Sequence, residues 1–208
     1  MQQSFPKGFW YDSIDSTMDE AKRLIYSGQI QDIAFVVANH QTNGRGTHGR
    51  KWESPKDSGI YLSVIHLPKE NKYFETTTIY TLACGIACIE ALKEVCNINA
   101  QLKPVNDIYV DEKKLGGILV ESKLQHSGIS CLITGVGINT HKVDRDLDRP
   151  DIEPVSLEEI LRENDFSDFI KKDLIKKIVG KICSWYIHLF NGNKKLIQTT
   201  WEKYCLHT

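Results

Sequence analysis

Hydrophobic positions in the N-terminal half follow first a helical and then a strand pattern. Apolar residues between positions 18 and 25 recur at helical spacing, and Ile14-Asp-Ser-Thr17 places small polar side chains directly before them. Such residues are typical of a helix N-terminus because their oxygens accept from free backbone N–H groups. Gly28 suits the left-handed conformation that ends many helices. Residues 34–38 form a continuous apolar run, which indicates a strand covered on both faces.

The middle of the chain predicts a sheet interrupted by one long helix. Ile60, Leu62 and Val64 alternate with other residues as in a strand, and residues 76–95 read as a long buried helix. Further strands are predicted at residues 101–103, 107–110, 115–121 and 129–137, with Asp111-Glu-Lys113 as a tight hairpin connection. From Val155 onward the chain reads as helical, and Ser156-Leu-Glu-Glu159 has a capping-box pattern. The sum is an α/β fold of the α+β type, a mixed sheet flanked by helices.

Length and composition are those of one ordinary globular domain. The chain has 208 residues, of which 41% are hydrophobic and 25% charged, so it can bury a core without disulfide or metal support. We therefore treat residues 1–208 as a single domain. The formal net charge of −1 argues against a nucleic-acid binder, which usually carries a basic excess on one face. One basic cluster alternates with apolar residues and is interpreted as the solvated face of a helix: Lys171, Lys172, Lys176 and Lys177.

The six cysteines favour reduced thiols. They include no CxxC pair and no cysteine–histidine run with zinc spacing, so no protein-held metal site is expected. Cys84 and Cys88 are spaced one helical turn apart, as on a buried helix face. The first residues have no signal-peptide core, and no apolar run approaches the length of a bilayer span. The sequence thus predicts a cytoplasmic protein that binds neither membrane nor DNA.

The segment between Gln41 and Trp52 carries the strongest chemical signal. Its three glycines within six residues let backbone N–H groups approach an anion. Arg45 and Arg50 add charged donors that bind phosphate oxygens well. The spacing matches neither of the usual nucleotide-loop motifs. The alternative is a surface loop whose arginines face solvent, and the loop alone does not decide between the two.

Three further segments place polar groups beside glycines or at strand ends. Lys103-Pro-Val-Asn-Asp107 offers a cation, an amide and a carboxylate at the start of a strand. Lys114-Leu-Gly-Gly117 puts a lysine before bare backbone, and Gly135-Val-Gly-Ile-Asn139 leaves backbone open at the end of a buried strand. Taken singly, these segments also fit a solvated hairpin turn and a simple exit from a strand.

Together the motifs resemble the biotin–protein ligase (holocarboxylase synthetase) family. Four of them occur in that family's order and spacing over residues 14–139: Ile14-Asp-Ser-Thr17, Gly44-Arg-Gly-Thr-His-Gly-Arg50, Lys114-Leu-Gly-Gly-Ile-Leu-Val-Glu121 and Gly135-Val-Gly-Ile-Asn139. Each motif is weak alone, whereas four in register are specific. The resemblance implies a catalytic domain related in fold to class II aminoacyl-tRNA synthetases, with a mixed, mostly antiparallel sheet flanked by helices.

The resemblance also implies an ATP-dependent ligase that works in two steps. The biotin carboxylate attacks the α-phosphate of MgATP, which releases pyrophosphate and leaves biotinyl-5′-AMP. A lysine of a biotin carboxyl carrier protein domain of a carboxylase then attacks the mixed anhydride and expels AMP. Because carboxylate and triphosphate are both anions, such a site needs several cations to offset their repulsion. Some members of the family are monomers and others homodimers, so a homodimer is among the expected partners.

Site residues are carried over from the family position by position. The resemblance implies a catalytic set of Lys114, Arg45, Lys103 and Asp107, in which Lys114 contacts both the biotin carboxylate and the phosphate. The implied biotin-binding set is Ser16, Thr17, Gln41, Gly44, Arg45, Gly46, Lys114, Gly116 and Gly117. The implied nucleotide-binding set is Arg50, Trp52, Asn106 and Asn139. ATP with Mg²⁺ and biotin enter as substrates.

The chain departs from the family pattern at four points. Met18 replaces an asparagine, and Lys103-Pro-Val replaces Lys-Trp-Pro, which removes an aromatic wall. Thr47 and His48 stand where relatives often carry two arginines, one of which helps to retain the adenylate, so we expect weaker retention here. We also expect the small β-barrel domain that usually follows the helical segment to be absent or truncated. No helix-turn-helix is expected at the N-terminus.

Three other functions compete with this interpretation. A lipoate–protein ligase shares the fold and the chemistry, but its Arg-Arg-x-x-Gly-Gly-Gly segment is absent. A lipoyl or octanoyl transferase needs a reactive cysteine, and none of the six lies in a motif suggesting an activated thiolate. A non-catalytic biotin-binding protein would keep the pocket, yet it has no need for Lys103, Arg45 and Lys114 together.

Overall fold

One seven-stranded sheet forms the centre of the protein. The computed structural model describes residues 5–68, 76–104, 106–125, 128–142, 152–161 and 167–206. Its strands are β1 (Lys7–Ile14), β2 (Ile33–Gln41), β3 (Gly59–His66), β4 (Gln101–Lys103), β5 (Asp107–Val110), β6 (Lys113–Gln125) and β7 (Gly128–Asn139). Their order in the sheet is β1-β2-β3-β7-β6-β5-β4. Among the strands of the described ranges, β1 and β2 form the one parallel pair, so the predicted mixed, mostly antiparallel sheet is confirmed.

Helices cover both faces of this sheet. They are α1 (Thr17–Tyr26), α2 (Thr77–Cys96), α3 (Leu157–Leu161), α4 (Asp168–Phe190) and α5 (Lys194–Tyr204), with a short 3₁₀ turn at Thr47–Gly49. In the ranges that the structure describes, none of the helices combines the length and apolarity needed to cross a bilayer. The long helix predicted at residues 76–95 is confirmed as α2, and Cys84 and Cys88 are both fully buried on it.

Alternating residues of β2 separate the molecule into two cores. Phe35 and Val37 pack into a large core with α2, α4 and α5, whereas Ala34 and Val36 pack into a smaller core with α1. Because successive side chains of a strand point to opposite faces, a strand between two helical layers is apolar throughout. The continuous apolar run at residues 34–38 therefore predicts β2 correctly. The same double coverage buries every residue of β3 from Gly59 to Ile65.

Local capping residues define the helix ends as the sequence predicts. Ser16 caps α1, and its Oγ accepts a hydrogen bond from the backbone N–H of Met18 at 3.2 Å. Gly28 follows the end of α1 with φ of +70°. Ser156 and Glu159 form the predicted capping box, in which the Ser156 N–H and hydroxyl both donate to Glu159 Oε2. Each of these caps depends on neighbours in sequence, which is why the pattern reveals them.

The structure differs from the sequence-based predictions at three points. The sequence pattern gives no sign of β1, an edge strand that pairs only with β2 and whose Trp10 is 50% exposed. The hairpin turn is two residues long, Asp111 and Glu112, both with positive φ, because Lys113 already belongs to β6. Lys171 does not belong to a solvated helix face: it is buried in α4, where it is 8% exposed.

Candidate active site

A cavity of about 190 Å³ lies where the start of α1, the end of β2 and the glycines of β6 and β7 meet. Twelve of the fifteen predicted site residues line it: Ser16, Thr17, Gln41, Arg45, Gly46, Arg50, Trp52, Asn106, Asp107, Lys114, Gly117 and Asn139. Residues from four separate motifs thus meet in one place. The fold brings them together because β2, β6 and β7 present their ends or glycines at the same side of the sheet.

One end of the cavity is a buried chain of neutral hydrogen bonds. Gln41 Oε1 accepts from the Thr17 backbone N–H at 2.8 Å and from the Thr17 hydroxyl at 3.1 Å. Gln41 Nε2 donates to Ser54 Oγ, and Ser63 Oγ donates to Thr17 Oγ1, each at 2.8 Å. Ser54 and Ser63 were not predicted, since nothing in their local sequence distinguishes them from other serines. The chain fixes the polar groups of this end before any ligand arrives.

An apolar wall continues from this polar end. Met18 of α1, Leu62 of β3 and Ile118 of β6 line the cavity together with Leu119 and Val136. Burial of an apolar chain against such a wall is favourable, by about 25 cal/mol for each Å² removed from water. The cavity therefore suits a ligand with a neutral hydrogen-bonding head and an apolar chain.

The loop after β2 closes on itself through its backbone. Gly46 N–H donates to the Arg50 carbonyl at 2.7 Å, and Trp52 N–H donates to the Gly44 carbonyl at 3.0 Å. A Cβ atom at Gly44 would lie 2.4 Å from the Trp52 carbonyl oxygen, so only glycine allows this closure. His48 adopts φ of +58° at the tip, which gives the turn its sharp reversal. Gly44 thus shapes the loop without itself lining the cavity.

Arg50 turns back onto the tip of its own loop. Its Nε donates to the Thr47 carbonyl at 3.1 Å, and its Nη2 donates to Thr47 Oγ1 at 3.0 Å. The side chain still lines the cavity. Thr47 therefore holds one of the two loop arginines in place, a role that the sequence motif does not reveal.

Arg45 crosses from the loop to two other elements. Its Nη2 lies 2.8 Å from Asp19 Oδ1 of α1, and its Nη1 lies 3.4 Å from Glu121 Oε1 of β6. Nε and Nη2 are nevertheless buried and make no hydrogen bond among the described residues. A buried guanidinium donor without an acceptor costs free energy, so these donors are poised for an anionic ligand.

Lys114 adds a further cation to the cavity. Its Nζ lies 2.8 Å from Asp107 Oδ1 and 5.7 Å from the centre of the Trp52 ring. Its backbone N–H donates to the Glu153 carbonyl, and its carbonyl accepts from the Val155 N–H. The short segment before α3, which also lines the cavity through Ile152 and Pro154, was not predicted. Its contact with β6 is non-local, so no neighbouring residues signal it.

Glycines of β6 and β7 make room for the Trp52 ring. A Cβ atom at Gly137 would lie 2.5 Å from Trp52 Cε2, and one at Gly117 would lie 3.3 Å from Trp52 Cζ3. The indole therefore lies directly against the strand backbone, close to Lys114. The sequence predicted Gly117 as bare backbone for a ligand, and the structure shows that it also accommodates Trp52.

Asn106 and Asn139 line the cavity, yet their amide N–H groups face the protein backbone. Asn106 Nδ2 donates to the Ile118 carbonyl at 3.0 Å. Asn139 Nδ2 donates to the carbonyls of Lys114 and Val155 at 3.3 and 3.0 Å. Both residues therefore position the strands and the segment before α3. Their role in nucleotide binding stays a prediction.

Three predicted residues do not line the cavity. Lys103 is exposed on the edge strand β4, and its Nζ lies 4.9 Å above the Tyr109 ring. Gly116 faces the neighbouring strand, since a Cβ atom there would lie 2.5 Å from the Gly137 carbonyl oxygen. Gly44 closes the loop as described above. The catalytic role of Lys103 therefore stays a prediction.

No cysteine of the described residues lines the cavity. Burial raises the pKa of the Cys131 and Cys183 thiols to about 11. A reactive thiolate needs a lowered pKa and access to substrate. These thiols therefore do not provide the nucleophile that a lipoyl or octanoyl transferase requires.

Known proteins resemble this chain in sequence and in fold. A family model described as the biotin/lipoate A/B protein ligase family matches residues 10–139. The bifunctional ligase/repressor BirA of Bacillus subtilis is 31% identical over 137 residues, which are 66% of this chain and 41% of that protein. The biotin–[acetyl-CoA-carboxylase] ligase of Paracoccus denitrificans is 31% identical over 127 residues, or 60% of this chain and 51% of that protein. The chain thus spans about half or less of these two relatives.

A solved structure extends the match to nearly the whole chain. The biotin protein ligase from Aquifex aeolicus in complex with biotin and ATP superposes with a TM-score of 0.79 at 29% identity, covering 97% of this chain and 79% of that one. The family model covers more than half of the 208 residues, and it includes every motif that contributes to the cavity. The chain belongs to the biotin/lipoate A/B protein ligase family.

Proposed function

We propose that this chain is an ATP-dependent biotin–protein ligase. It would adenylate biotin and then pass the biotinyl group to a lysine of a biotin carboxyl carrier domain. One observation carries the proposal: a single cavity joins a neutral polar end, an apolar wall and a set of cations that includes Arg45 and Lys114. Biotin has the matching parts in the same order, namely a ureido ring, an alkyl chain and a carboxylate.

The first half-reaction uses the cations to bring two anions together. The biotin carboxylate attacks the α-phosphorus of ATP, the bond to the β-phosphate bridging oxygen breaks, and pyrophosphate leaves. Arg45 and Lys114 offset the repulsion between carboxylate and phosphate and bind the charge that develops on the phosphoryl oxygens. Mg²⁺ arrives as part of the MgATP substrate. Trp52, beside Lys114, provides an aromatic surface for the purine.

The second half-reaction transfers the acyl group. The amine of the carrier lysine attacks the carbonyl carbon of biotinyl-5′-AMP, an amide bond forms, and AMP leaves. Asp107 lies in the cavity 2.8 Å from Lys114 Nζ, where it accepts the proton that the carrier lysine's ammonium group must lose before its neutral amine attacks. Since all six cysteines are free thiols, we place this activity in the reducing cytoplasm.

Pyrophosphate exchange into ATP tests the first half-reaction directly. The assay contains MgATP, labelled pyrophosphate and either biotin, lipoate or no acid. Exchange that requires biotin is the expected result. Exchange with lipoate alone would assign the chain to lipoate ligation, which uses the same adenylation chemistry. No exchange with either acid, under conditions where biotin binds, would make the chain a biotin-binding protein without turnover.

A further inference from the structure

We infer that Asp19 and Glu121 are positioning residues that hold Arg45, and with it the loop, across the cavity before a ligand binds. Asp19 lies in the first turn of α1, Glu121 lies on β6, and Arg45 comes from the loop after β2. Three segments that are distant in sequence therefore meet at one guanidinium group. The effect on ligand affinity rests on the proposed function, whereas the effect on the loop does not.

The cluster balances its own charge. Lys22 of α1 lies 2.8 Å from Glu121 and 3.7 Å from Asp19, so two acids and two bases share one site. All four side chains are between 30% and 35% exposed. They are thus shielded from water more than ordinary surface pairs, and their attraction is less screened by salt. Glu121 contacts both bases, which links α1, β6 and the loop in a closed network.

Arg45 is well suited to anchor this part of the loop. Its two neighbours, Gly44 and Gly46, have no side chains, so Arg45 supplies the side-chain contact of this tripeptide with α1 and β6. Without that contact the loop gains conformational freedom, which a ligand must then remove on binding. Asp19 and Glu121 are therefore expected to lower the entropic cost of binding.

The carboxylates hold the guanidinium without using all of its donors. Arg45 Nε and Nη2 stay buried and make no hydrogen bond among the described residues, although Nη2 is close to Asp19. The ion pairs thus fix where the group lies and leave donors for the carboxylate or phosphate of a ligand. Such an arrangement pre-organises the site, as in other sites that bind developing charge.

Limited trypsin digestion of the ligand-free protein tests the inference without any assumption about function. Asp19→Asn and Glu121→Gln are each expected to speed cleavage after Arg45 by about 2- to 5-fold, the range of one partly exposed ion pair. Glu20→Gln is the matched control, because Glu20 occupies the same first turn of α1 but pairs with Arg23 and Tyr11 instead. Equal cleavage rates in Asp19→Asn and Glu20→Gln would overturn the inference.

A double-mutant cycle on biotin binding separates positioning from a general structural effect. By calorimetry, Asp19→Asn should weaken biotin binding by about 2- to 5-fold, and Asp19→Glu should restore most of the affinity. In an Arg45→Gln background, Asp19→Asn should have no further effect, because Asp19 acts only through Arg45. The same loss in both backgrounds would contradict the inference. If the wild type bound no biotin at all, the proposed function would fail, and the trypsin result would still decide the role of Asp19.

Discussion

Two cations of the cavity are each paired with a carboxylate at 2.8 Å, Lys114 with Asp107 and Arg45 with Asp19. Lys114 lies between the Trp52 ring and Asp107, where a ligand carboxylate and phosphate would meet. In the proposed reaction Lys114 donates to developing charge, so Lys114→Ala is expected to lower the adenylation rate by about 10²- to 10³-fold. Pyrophosphate exchange at saturating biotin and ATP measures this loss. Lys113→Ala is the matched control: its side chain pairs with Glu153 outside the cavity, so exchange should stay within about twofold.

Thr47 stands at a position where relatives often carry an arginine. Its hydroxyl accepts from Arg50, and the residue lines the cavity. Thr47→Arg adds a charged donor there and is expected to slow the release of biotinyl-5′-AMP by about tenfold, the effect of one net charge-assisted hydrogen bond. The measurement is adenylate release after a single turnover without carrier. Thr47→Val, which removes the hydroxyl but adds no charge, should not slow release. An unchanged rate in Thr47→Arg would refute the idea.

Burial of Lys171 predicts a pH-dependent stability. Burial lowers the pKa of Lys171, and the Coulombic attraction of Asp57 and Asp168 opposes the shift only in part. The unfolded chain then holds the proton more tightly than the folded chain. The free energy of unfolding should therefore rise with pH through the lowered pKa and level off near 10.5, the ordinary lysine value. Lys171→Met should stabilise the protein at pH 7 by on the order of 1 kcal/mol.

Urea denaturation at a series of pH values measures this effect. The gain in stability from Lys171→Met should shrink as the pH approaches the ordinary pKa of lysine, because the Lys171 side chain of the wild type is then neutral and no charge is buried. Lys172→Met is the control, since Lys172 is exposed on the same helix and should show no such pH dependence. A gain that is the same at every pH would mean that packing, and not charge, decides the stability.

For individual residues, the sequence predicts the position in the fold better than the direction of the side chain. Twelve of the fifteen residues predicted from the motifs line the cavity. The motifs succeed because their glycines determine the local backbone conformation. Lys103 does not line the cavity, because its ammonium group lies over the Tyr109 ring on the edge strand. Lys171 fails because the periodicity of α4 identifies an amphipathic helix but not the limits of its buried face.

The Trp52 ring packs against two glycines, Gly117 of β6 and Gly137 of β7, which leave room for it because they have no side chains. Gly137→Ala would place a Cβ atom 2.5 Å from Trp52 Cε2, so the indole must move away from the strand. If Trp52 binds the purine, the KM for ATP should rise by about tenfold. This is the effect of a cost of about 1.4 kcal/mol, which is in the range for overpacking by one methyl group. The KM for biotin should change much less, because the polar end around Gln41 is separate. Steady-state kinetics with each substrate varied in turn gives both values.

Gly180→Ala is the control for Gly137→Ala, because it makes the same substitution at a glycine outside the cavity. Gly180 lies inside α4, and no atom would come within 4 Å of an added Cβ. The substitution should raise the free energy of unfolding by about 0.5–1 kcal/mol through helix propensity and leave both KM values unchanged. Equal KM values for ATP in Gly137→Ala and the wild type would mean that the indole position is unimportant for the nucleotide.

Elements that depend on local signals are those the sequence predicts. α1, α2 and the α3 capping box follow from capping residues and apolar spacing within a few positions. β1 could not be predicted, because an edge strand covered on one side only lacks a strong apolar pattern. The contact of residues 153–155 with Lys114 depends on the tertiary fold alone.

Across the whole molecule, the two faces of the sheet differ in the number of hydrophobic residues that are buried against them. Among the described residues, 35 belong to the core under α2, α4 and α5, whereas 9 belong to the core under α1. Both cores contribute to the cavity lining: Leu62, Ile118 and Val136 come from the larger core, and Met18 comes from the smaller one. Local opening is easiest where few apolar contacts must break. We therefore expect the face covered by α1 to open more easily than the face covered by α2.

Hydrogen exchange followed by mass spectrometry checks this asymmetry. Amides of α1 should exchange through a partial opening that leaves α2 protected, because α1 buries Met18, Ala21 and Leu24 whereas α2 is buried over most of its length. Biotin should slow exchange in α1 and in the loop around Arg45, with little effect on α2, since binding stabilises only states in which the cavity is formed. Exchange of α1 and α2 at one common rate would instead mean that the two cores open together, and the ligand would then protect both helices equally.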